Sequence, residues 1–465
     1  MGKKSSSEFR DIRLDKTRQD LLESMTIRYS SVLRQLATTN NEESRFTNFI
    51  NNKKVNPDAI LSQSWKETKA DWSDKHMLVI SDSSTLSFVN RADREKLGYI
   101  GQKTKKTGFH IHPSILLDAK DGGLYGVGSV NIIKTDFAQT PQEIADKKQR
   151  NKDRWKIPFE KKERHKWLTS PKKAIENCPT AAQYTLVGDR ETDIYDLMSR
   201  TLNEGWDFLY RSKNNRKLSN TEEFDTLYKT LPRWNIEHKC RFDVAASKKR
   251  SKHEVTANLK YGTVSIKRPK FHRDKELPEN IELQVVEIKE CTNSVVGNEA
   301  PIHWILLTSH PVNTVEQALQ ILQWYRWRWT IEELFRTLKT RGLNIEASEV
   351  ETFHGLANLT TMALSAAAQT MQMVKARDGQ TNQKIEDVFT EKEQECLKQL
   401  NKQLQGNTEK SKNPHPSNSL AYASWIIGRL GGWKGYVKSR PPGPITMIKG
   451  LTKFYNILNG YYLII

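Results

Sequence analysis

The sequence predicts an α/β protein with helical ends. Three observations carry that expectation. Short apolar runs stop at Asp82 and at Asp189, the pattern of buried strands with a carboxylate at their ends. Residues 235–310 alternate apolar and polar positions, which is a β-rich signature. Apolar residues recur at helical spacing before and after this middle region.

Taken in order, residues 8–70 read as helical. Leu14, Leu21, Leu22 and Met25, then Val32, Leu33 and Leu36, mark the apolar faces, among Arg10, Arg13, Lys16, Arg18, Arg28 and Arg34. This is the pattern of a small basic helical domain, or of a helical cap on the next domain. Residues 76–82 form the first strand, and 108–113 and 123–132 continue a meander. A charged stretch covers 143–173, with Lys147, Lys148, Arg150, Lys152, Arg154, Lys161, Lys162, Arg164 and Lys166. Residues 184–189 read as a strand, 191–203 as a helix and 206–211 as a strand. Val255, Ala257 and Leu259 precede an expected turn at Tyr261-Gly262, and Val264 and Ile266 come after it. Residues 281–288 and 302–308 are further strands. The rest is helical, with 405–419 the best linker candidate.

The chain has 465 residues, enough for roughly two to four domains. Lys and Arg number 74 against 55 Asp and Glu, a formal charge of +19 that favours a polyanionic partner. No fixed-period repeat is visible, which excludes solenoids and propellers. Apolar runs are too short to span a bilayer, no basic amphipathic anchor stands out, and no signal-peptide pattern is present. Met1-Gly2-Lys3-Lys4-Ser5-Ser6 fits the loose myristoylation pattern, a short motif that carries little weight. Cys178, Cys240, Cys291 and Cys396 lie far apart, without C-x-x-C or zinc-finger spacing, so the expected compartment is reducing and intracellular.

A helix over 318–341 carries Tyr325, Arg328, Glu332 and Lys339. At about 100° per residue these fall within a sector of roughly 60°. Trp324, Trp327, Ile331, Leu334 and Leu338 form a neighbouring apolar stripe. A solvated helix face carries Arg, Glu and Lys too. Asp82 and Asp189 at strand ends, with Glu332 from a helix packed on the sheet, would form a crowded acidic set. Such a set needs a divalent cation. Mg²⁺ suits it, two ions acting on the two sides of an in-line phosphoryl displacement.

Val187-Gly-Asp189-Arg-Glu-Thr-Asp193 and Tyr325-x2-Arg328-x3-Glu332-x6-Lys339 resemble the bacterial Asp-Asp-Glu transposases of the insertion-sequence-four family, transposon-five type. Ile80-Ser-Asp82-Ser-Ser-Thr-Leu-Ser-Phe88 resembles the segment with that family's first catalytic Asp. The likeness extends from about residue 9 to the C-terminus, including Arg429-Leu-Gly-Gly-Trp-Lys434 and Arg440-Pro-Pro-Gly443.

The resemblance implies an RNase H-like catalytic domain over 71–365, interrupted by a β-rich insertion over about 235–310. It also implies a DNA-end-binding helical domain over 1–70 and a helical dimerisation region over 366–465. The implied activity is cut-and-paste transposition in bacterial cytoplasm. Terminal repeats of double-stranded DNA are bound by a homodimer, nicked, converted to hairpins, opened and joined to target DNA. Asp82, Asp189 and Glu332 would be catalytic and hold two Mg²⁺, with Mn²⁺ able to substitute. Tyr325, Arg328 and Lys339 would contact phosphates near the scissile bond.

Ile302, Trp304 and Leu306 share one strand face, a core pattern. The resemblance instead assigns Trp304 to stacking on a flipped base, with Trp329 a second aromatic beside it. Arg190 belongs to the active-site rim. Arg211, Lys213, Arg216 and Lys217 resemble a DNA-contacting segment, and equally a solvated basic loop. His110 and His112 share a strand face without a third metal ligand nearby. Glu191 and Asp193 read as helix-start acids. Two rival readings are a structure-selective nuclease without strand transfer and a catalytically idle end-binding regulator or remnant.

Overall fold

In a computed structural model of the chain, the residues described are 7–68, 71–88, 97–100, 106–135, 157–219, 226–244, 250–270, 272, 274, 276–339, 342–436 and 440–461. The myristoylation-like motif at 1–6 and the basic residues Lys147 to Arg154 lie outside them. In chain order come α1 (Ile12–Arg28), α2 (Leu33–Leu36), α3 (Asn40–Asn51) and α4 (Pro57–Glu67). Five strands come next: β1 (His76–Ser81), β2 (Ser84–Phe88), β3 (Tyr99–Ile100), β4 (Lys106–Asp118) and β5 (Leu124–Ile133). Then come α5 (Lys166–Asn177), β6 (Gln183–Gly188), α6 (Tyr195–Asn203), β7 (Asp207–Arg211) and α7 (Leu227–Thr230). Four strands, β8 (His238–Val244), β9 (His253–Lys267), β10 (Asn280–Glu290) and β11 (His303–Thr308), lead to α8 (Val315–Trp327) and α9 (Trp329–Leu338). The chain closes with α10 (Phe353–Ala376), α11 (Glu391–Leu404), α12 (Leu420–Leu430) and α13 (Pro444–Tyr461).

The chain divides into two units. The first comprises Met1–Ala138, Ser170–Ala182 and Thr330–Ile465, and the second Gln139–Thr169 and Gln183–Trp329. In the first unit β4 is the spine. β1 and β2 pair in line along one of its edges, and β5 and the short β3 pair along the other, all antiparallel. Gly128 lets α5 sit on β5, since a Cβ there would lie 2.6 Å from the Ala174 Cβ. α10 is apolar almost all round, so it runs through the interior and packs on α1, α3, α4, α12, α13 and β5.

One helical cation departs from expectation. Arg18 is 1 % exposed, its guanidinium held by Asp15, Ser64 and Glu67, so it ties α1 to α4 instead of joining the outward basic face of Arg10, Arg13, Arg28 and Arg34.

In the second unit β6 and β7 are parallel, as their connection through α6 requires. The sheet then continues antiparallel through β11, β10, β9 and β8. The β-rich segment thus extends the same sheet through the β11–β7 pairing. The expected turn at Tyr261-Gly262 is absent. β9 runs unbroken through it, and the Trp234 ring packs over Gly262, 3.1 Å from where a Cβ would stand. The missing side chain makes room for an aromatic and does not mark a reversal.

The expected single helix over 318–341 is also modified. α8 starts at a Thr314–Gln317 capping box and ends at Trp327, and α9 starts at Trp329. Arg328 between them keeps right-handed helical angles, but its N–H bonds to the Tyr325 carbonyl at 3.2 Å, three residues back. The helix tightens for one step there. An angular sector computed at constant pitch therefore does not carry across the junction from Tyr325 to Glu332.

All four cysteines are free thiols. Among the described residues no helix is long and apolar enough to cross a membrane.

Candidate active site

In the first unit, Met77, Leu78, Val79 and Ile80 are fully buried and drive β1 into the core. Asp82 comes immediately after. Its Oδ1 accepts the Ser83 N–H at 2.7 Å. β1 and β2 share one register on β4, and only Asp82 and Ser83 between them are unladdered. Extending that register places Pro113 opposite Asp82. Proline has no N–H to donate, so the ladder lapses where the carboxylate stands.

The two histidines of β4 face this segment. His112 Nδ1 bonds Ser83 Oγ and His110 Nδ1 bonds Thr85 Oγ1, each at 2.9 Å. They brace the Ser83 and Thr85 hydroxyls.

On α9, Ile331, Leu334 and Leu338 are fully buried while Glu332 is half-buried, as the helical spacing predicts. Lys339 is the next residue after the helix. Its Nζ donates to the Thr85 carbonyl at 2.6 Å, and Glu346 accepts the Ser87 N–H at 2.7 Å. Burial holds the Lys339 ammonium below the ordinary lysine range, opposed by the Glu346 carboxylate. Lys339 is thus seated on β2, a contact the spacing does not foretell.

In the second unit, Asp189 stands at the C-terminal end of β6, where parallel strands present functional groups. It caps a 3-10 turn over Arg190–Thr192, with Oδ1 accepting the Glu191 N–H at 2.8 Å. Gly188 is required beneath that turn, because a Cβ would collide with the Thr192 side chain. Arg190 is exposed.

Tyr325 is the centre of a basic and aromatic cluster. It is 5 % exposed, against the expectation of an outward polar stripe. Its ring meets Trp304 edge-on at 5.3 Å, and the Arg328 guanidinium lies over it at 5.8 Å. Its hydroxyl is hydrogen-bonded by Arg211, which also donates to the His303 carbonyl at 3.0 Å. Burial lowers the Arg211 pKa from its ordinary value, and the like charges of Arg190 and Arg328 add to that, opposed by Tyr325. The Arg211 and Arg328 guanidinium groups therefore lie against one phenol, with Arg190 beside Arg211 in the same cleft, an arrangement that an anion would relieve. Trp304 is half-buried, stacked on Phe242 at 6.0 Å and 24°, and Arg326 lies over Phe242 at 5.2 Å. Trp329 is 43 % exposed.

The basic loop after β7 divides in two. Lys213 and Lys217 are exposed. Arg216 turns inward instead, its Nη2 2.5 Å from Asp193 Oδ1, in a pair whose side chains are 10 % and 0 % exposed. Asp193 also accepts the Lys213 and Asn214 N–H groups at 2.7 and 2.6 Å. Asp193 is the anchor of this loop and not a helix-start acid, and Arg216 is a structural cation and not an outward DNA contact. A cleft of about 590 Å³ adjoins the loop. It is lined by Arg190, Arg211 and Lys213, and by Tyr228, Lys289 and His303, which sequence reading missed. These come from separate strands and a short helix, and no motif signals them.

Carboxylates are hard oxygen donors of the kind a divalent cation takes. Asp82 and Glu332 belong to the first unit and Asp189 to the second. Among the described residues no group of three or more His, Cys, Asp or Glu is gathered to hold a metal ion. The donor chemistry fits such an ion.

Residues 174–368 match the family model described as Transposase DDE domain. The matched span contains Asp189, the Arg211 and Arg328 cluster around Tyr325, Glu332 and Lys339, while Asp82 precedes it. With strand-end and helix-borne carboxylates and a mixed α/β sheet already in place, this match supports a DDE transposase.

Proposed function

We propose that the protein is a cut-and-paste DNA transposase of the insertion-sequence-four type, acting on terminal repeats through a hairpin intermediate. The observation that carries this reading is the seating of Arg211 and Arg328 against Tyr325, with Arg190 beside Arg211, in the unit that bears Asp189. Cationic forks and a phenol suit the non-bridging oxygens of a phosphodiester. Asp82, Asp189 and Glu332 are the proposed catalytic carboxylates.

They are also the residues that would hold divalent cations, Mg²⁺ or Mn²⁺, which when bound lower the pKa of a water nucleophile and neutralise charge on the transferring phosphoryl group. The guanidinium groups orient the scissile phosphate for in-line attack, first by water and then by the freed 3′-OH. Trp304, with Trp329 as a second aromatic, offers aromatic surface for the base displaced by the bent strand. Lys213 and Lys217 track the backbone beyond it.

Residues 1–70 are proposed to read the DNA end, and residues 366–465 to join two copies in a synaptic dimer. The 235–310 strands, with Trp304 among them, serve the hairpin step within a catalytic domain of 71–365.

The test uses purified protein and Mg²⁺ with labelled DNA carrying the terminal repeats that flank its gene, resolved on a denaturing gel. Nicks at the repeat ends and then hairpins are expected. Asp82→Asn, Asp189→Asn and Glu332→Gln should each abolish both while leaving DNA binding intact. Cleavage retained by any one removes that residue from the catalytic set. End binding without any cut overturns the enzyme reading in favour of a regulator, and cutting of branched DNA without end preference favours a nuclease.

A further inference from the structure

The antiparallel register of β10 and β11 sets Lys289 directly opposite His303. Such a pair shares one face of the sheet, with its Cβ atoms about 5 Å apart. Both side chains line the cleft beside Arg211. Lys289 is exposed, and among the described residues its ammonium has neither a hydrogen bond nor an ion pair.

The cleft has one carboxylate among its lining residues, Glu287. That group is already committed within its own sheet. His303 Nε2 bonds Glu287 Oε1 at 2.8 Å, and Lys260 Nζ stands 3.8 Å from Oε2. The rest of the wall is cationic, with Arg190, Arg211, Lys213 and Lys289. These arrive from separate elements: Arg190 follows β6, Arg211 ends β7 with Lys213 two residues on, and Lys289 lies on β10. Solvated lysines point apart over a surface. Cations that converge on a concavity with low-dielectric walls concentrate their field there.

The cleft also has a defined place relative to Tyr325. His303 and Trp304 are consecutive on β11, so they point to opposite faces. Trp304 meets Phe242 and Tyr325, while His303 faces Glu287 and the cleft. Arg211 touches both sides. It bonds the Tyr325 hydroxyl, donates to the His303 carbonyl and lines the cleft.

We propose that Lys289 and His303 form a second phosphodiester site, which takes a neighbouring phosphate of the DNA strand whose scissile phosphate meets Arg211 and Arg328. A strand that turns about the start of β11 sets one phosphate against Tyr325 and another in the cleft. Lysine supplies a compact charge on a flexible stem, and Glu287 orients the His303 ring beside it. This rests on the transposase reading above for which strand is held, but not for the anion site itself. Neither residue belongs to the Tyr-Arg-Glu-Lys spacing or to the basic loop after β7.

The experiment measures fluorescence anisotropy of labelled terminal-repeat duplex across a salt series, with the parent, Lys289→Met, Lys289→Arg and His303→Asn. Lys239→Met is the control. Lys239 is exposed, and its register through Asn258 puts it on the same sheet face as Lys289, two strands away and outside the cleft. Lys289→Met should flatten the plot of log affinity against log salt by about 0.9 for duplex DNA. Lys289→Arg and Lys239→Met should keep the parent slope. The same duplex with single phosphates replaced by methylphosphonate, one position at a time near the cut, then locates the contact. At one position the parent should lose affinity while Lys289→Met loses nothing further, and His303→Asn should be insensitive at that same position. An unchanged slope in Lys289→Met overturns the proposal. So does an equal loss in Lys239→Met, which would mark a diffuse charge effect, or the lack of a shared insensitive position. Cleavage of the unmodified duplex separates the two readings. A parent that binds but cuts nothing sinks the transposase reading, and the phosphate scan still decides the cleft. A parent that binds no DNA overturns both.

Discussion

Arg216 and Asp193 close on each other at 2.5 Å beneath the loop after β7, with the Asp193 side chain fully out of solvent. A cation in a run of four basic residues is thereby committed to the fold. Removing one partner of a buried pair leaves the other charge stranded, which costs about 3–5 kcal/mol. Arg216→Ala should therefore lower the melting temperature clearly, while Lys217→Ala should not. Thermal melts of both variants decide this, and an unshifted melt for Arg216→Ala would return that residue to the surface group.

The guanidinium cluster makes a different prediction. If Arg211 and Arg328 each neutralise a phosphate, replacing either with Ala flattens the plot of log affinity against log salt by about 0.9 for duplex DNA. Arg216→Ala should leave that slope unchanged. Fluorescence anisotropy across a salt series measures it. A flat response in the parent would mean that the basic excess does not form the binding surface.

Trp304 is stacked on Phe242 and abuts Tyr325, so its ring is held in a set orientation. Trp304→Ala should slow hairpin formation more than the first nick, by about 1–3 kcal/mol of lost stacking. Quenched time courses separate the two steps. Equal loss at both would favour a purely core role for the ring.

His310 gives stability a pH dependence. Its Nε2 bonds Thr185 Oγ1 at 2.7 Å and its ring meets Trp324 at 4.9 Å. Burial lowers its pKa, with Asp207 opposing. The unfolded chain thus binds a proton at a pH where the folded one does not. The stabilisation is present above the unfolded value of about 6.5 and is lost as pH falls through the folded value. Melting temperature should drop on acidification below about pH 6.5, and less steeply in His310→Gln, which keeps a partner for Thr185. Parallel slopes in the two proteins would assign the effect elsewhere.

Much of the local structure around the candidate site was legible in the sequence because its signals are local. The apolar runs before Asp82 and Asp189 specify strands through burial alone, and Ile331, Leu334 and Leu338 specify which side of α9 faces inward. The Tyr325 to Lys339 spacing names its residues without any fold. Spacing at constant pitch failed only where the helix tightens at Arg328, and a glycine read as a turn at Gly262 was space for Trp234.

By itself the sequence determined the α/β class, the carboxylates at strand ends and on a helix, and the strongly basic balance, since each depends only on neighbours along the chain. Only the tertiary structure decided what each charge does. Arg18 and Arg216 are spent on Glu67 and Asp193, Lys339 and Glu346 seat the edge of β2, and Lys289 and His303 join Arg211 in one cleft. The reason is physical. Whether a charged side chain is buried and paired or left to meet DNA depends on partners tens to hundreds of residues away, and no local pattern encodes that encounter.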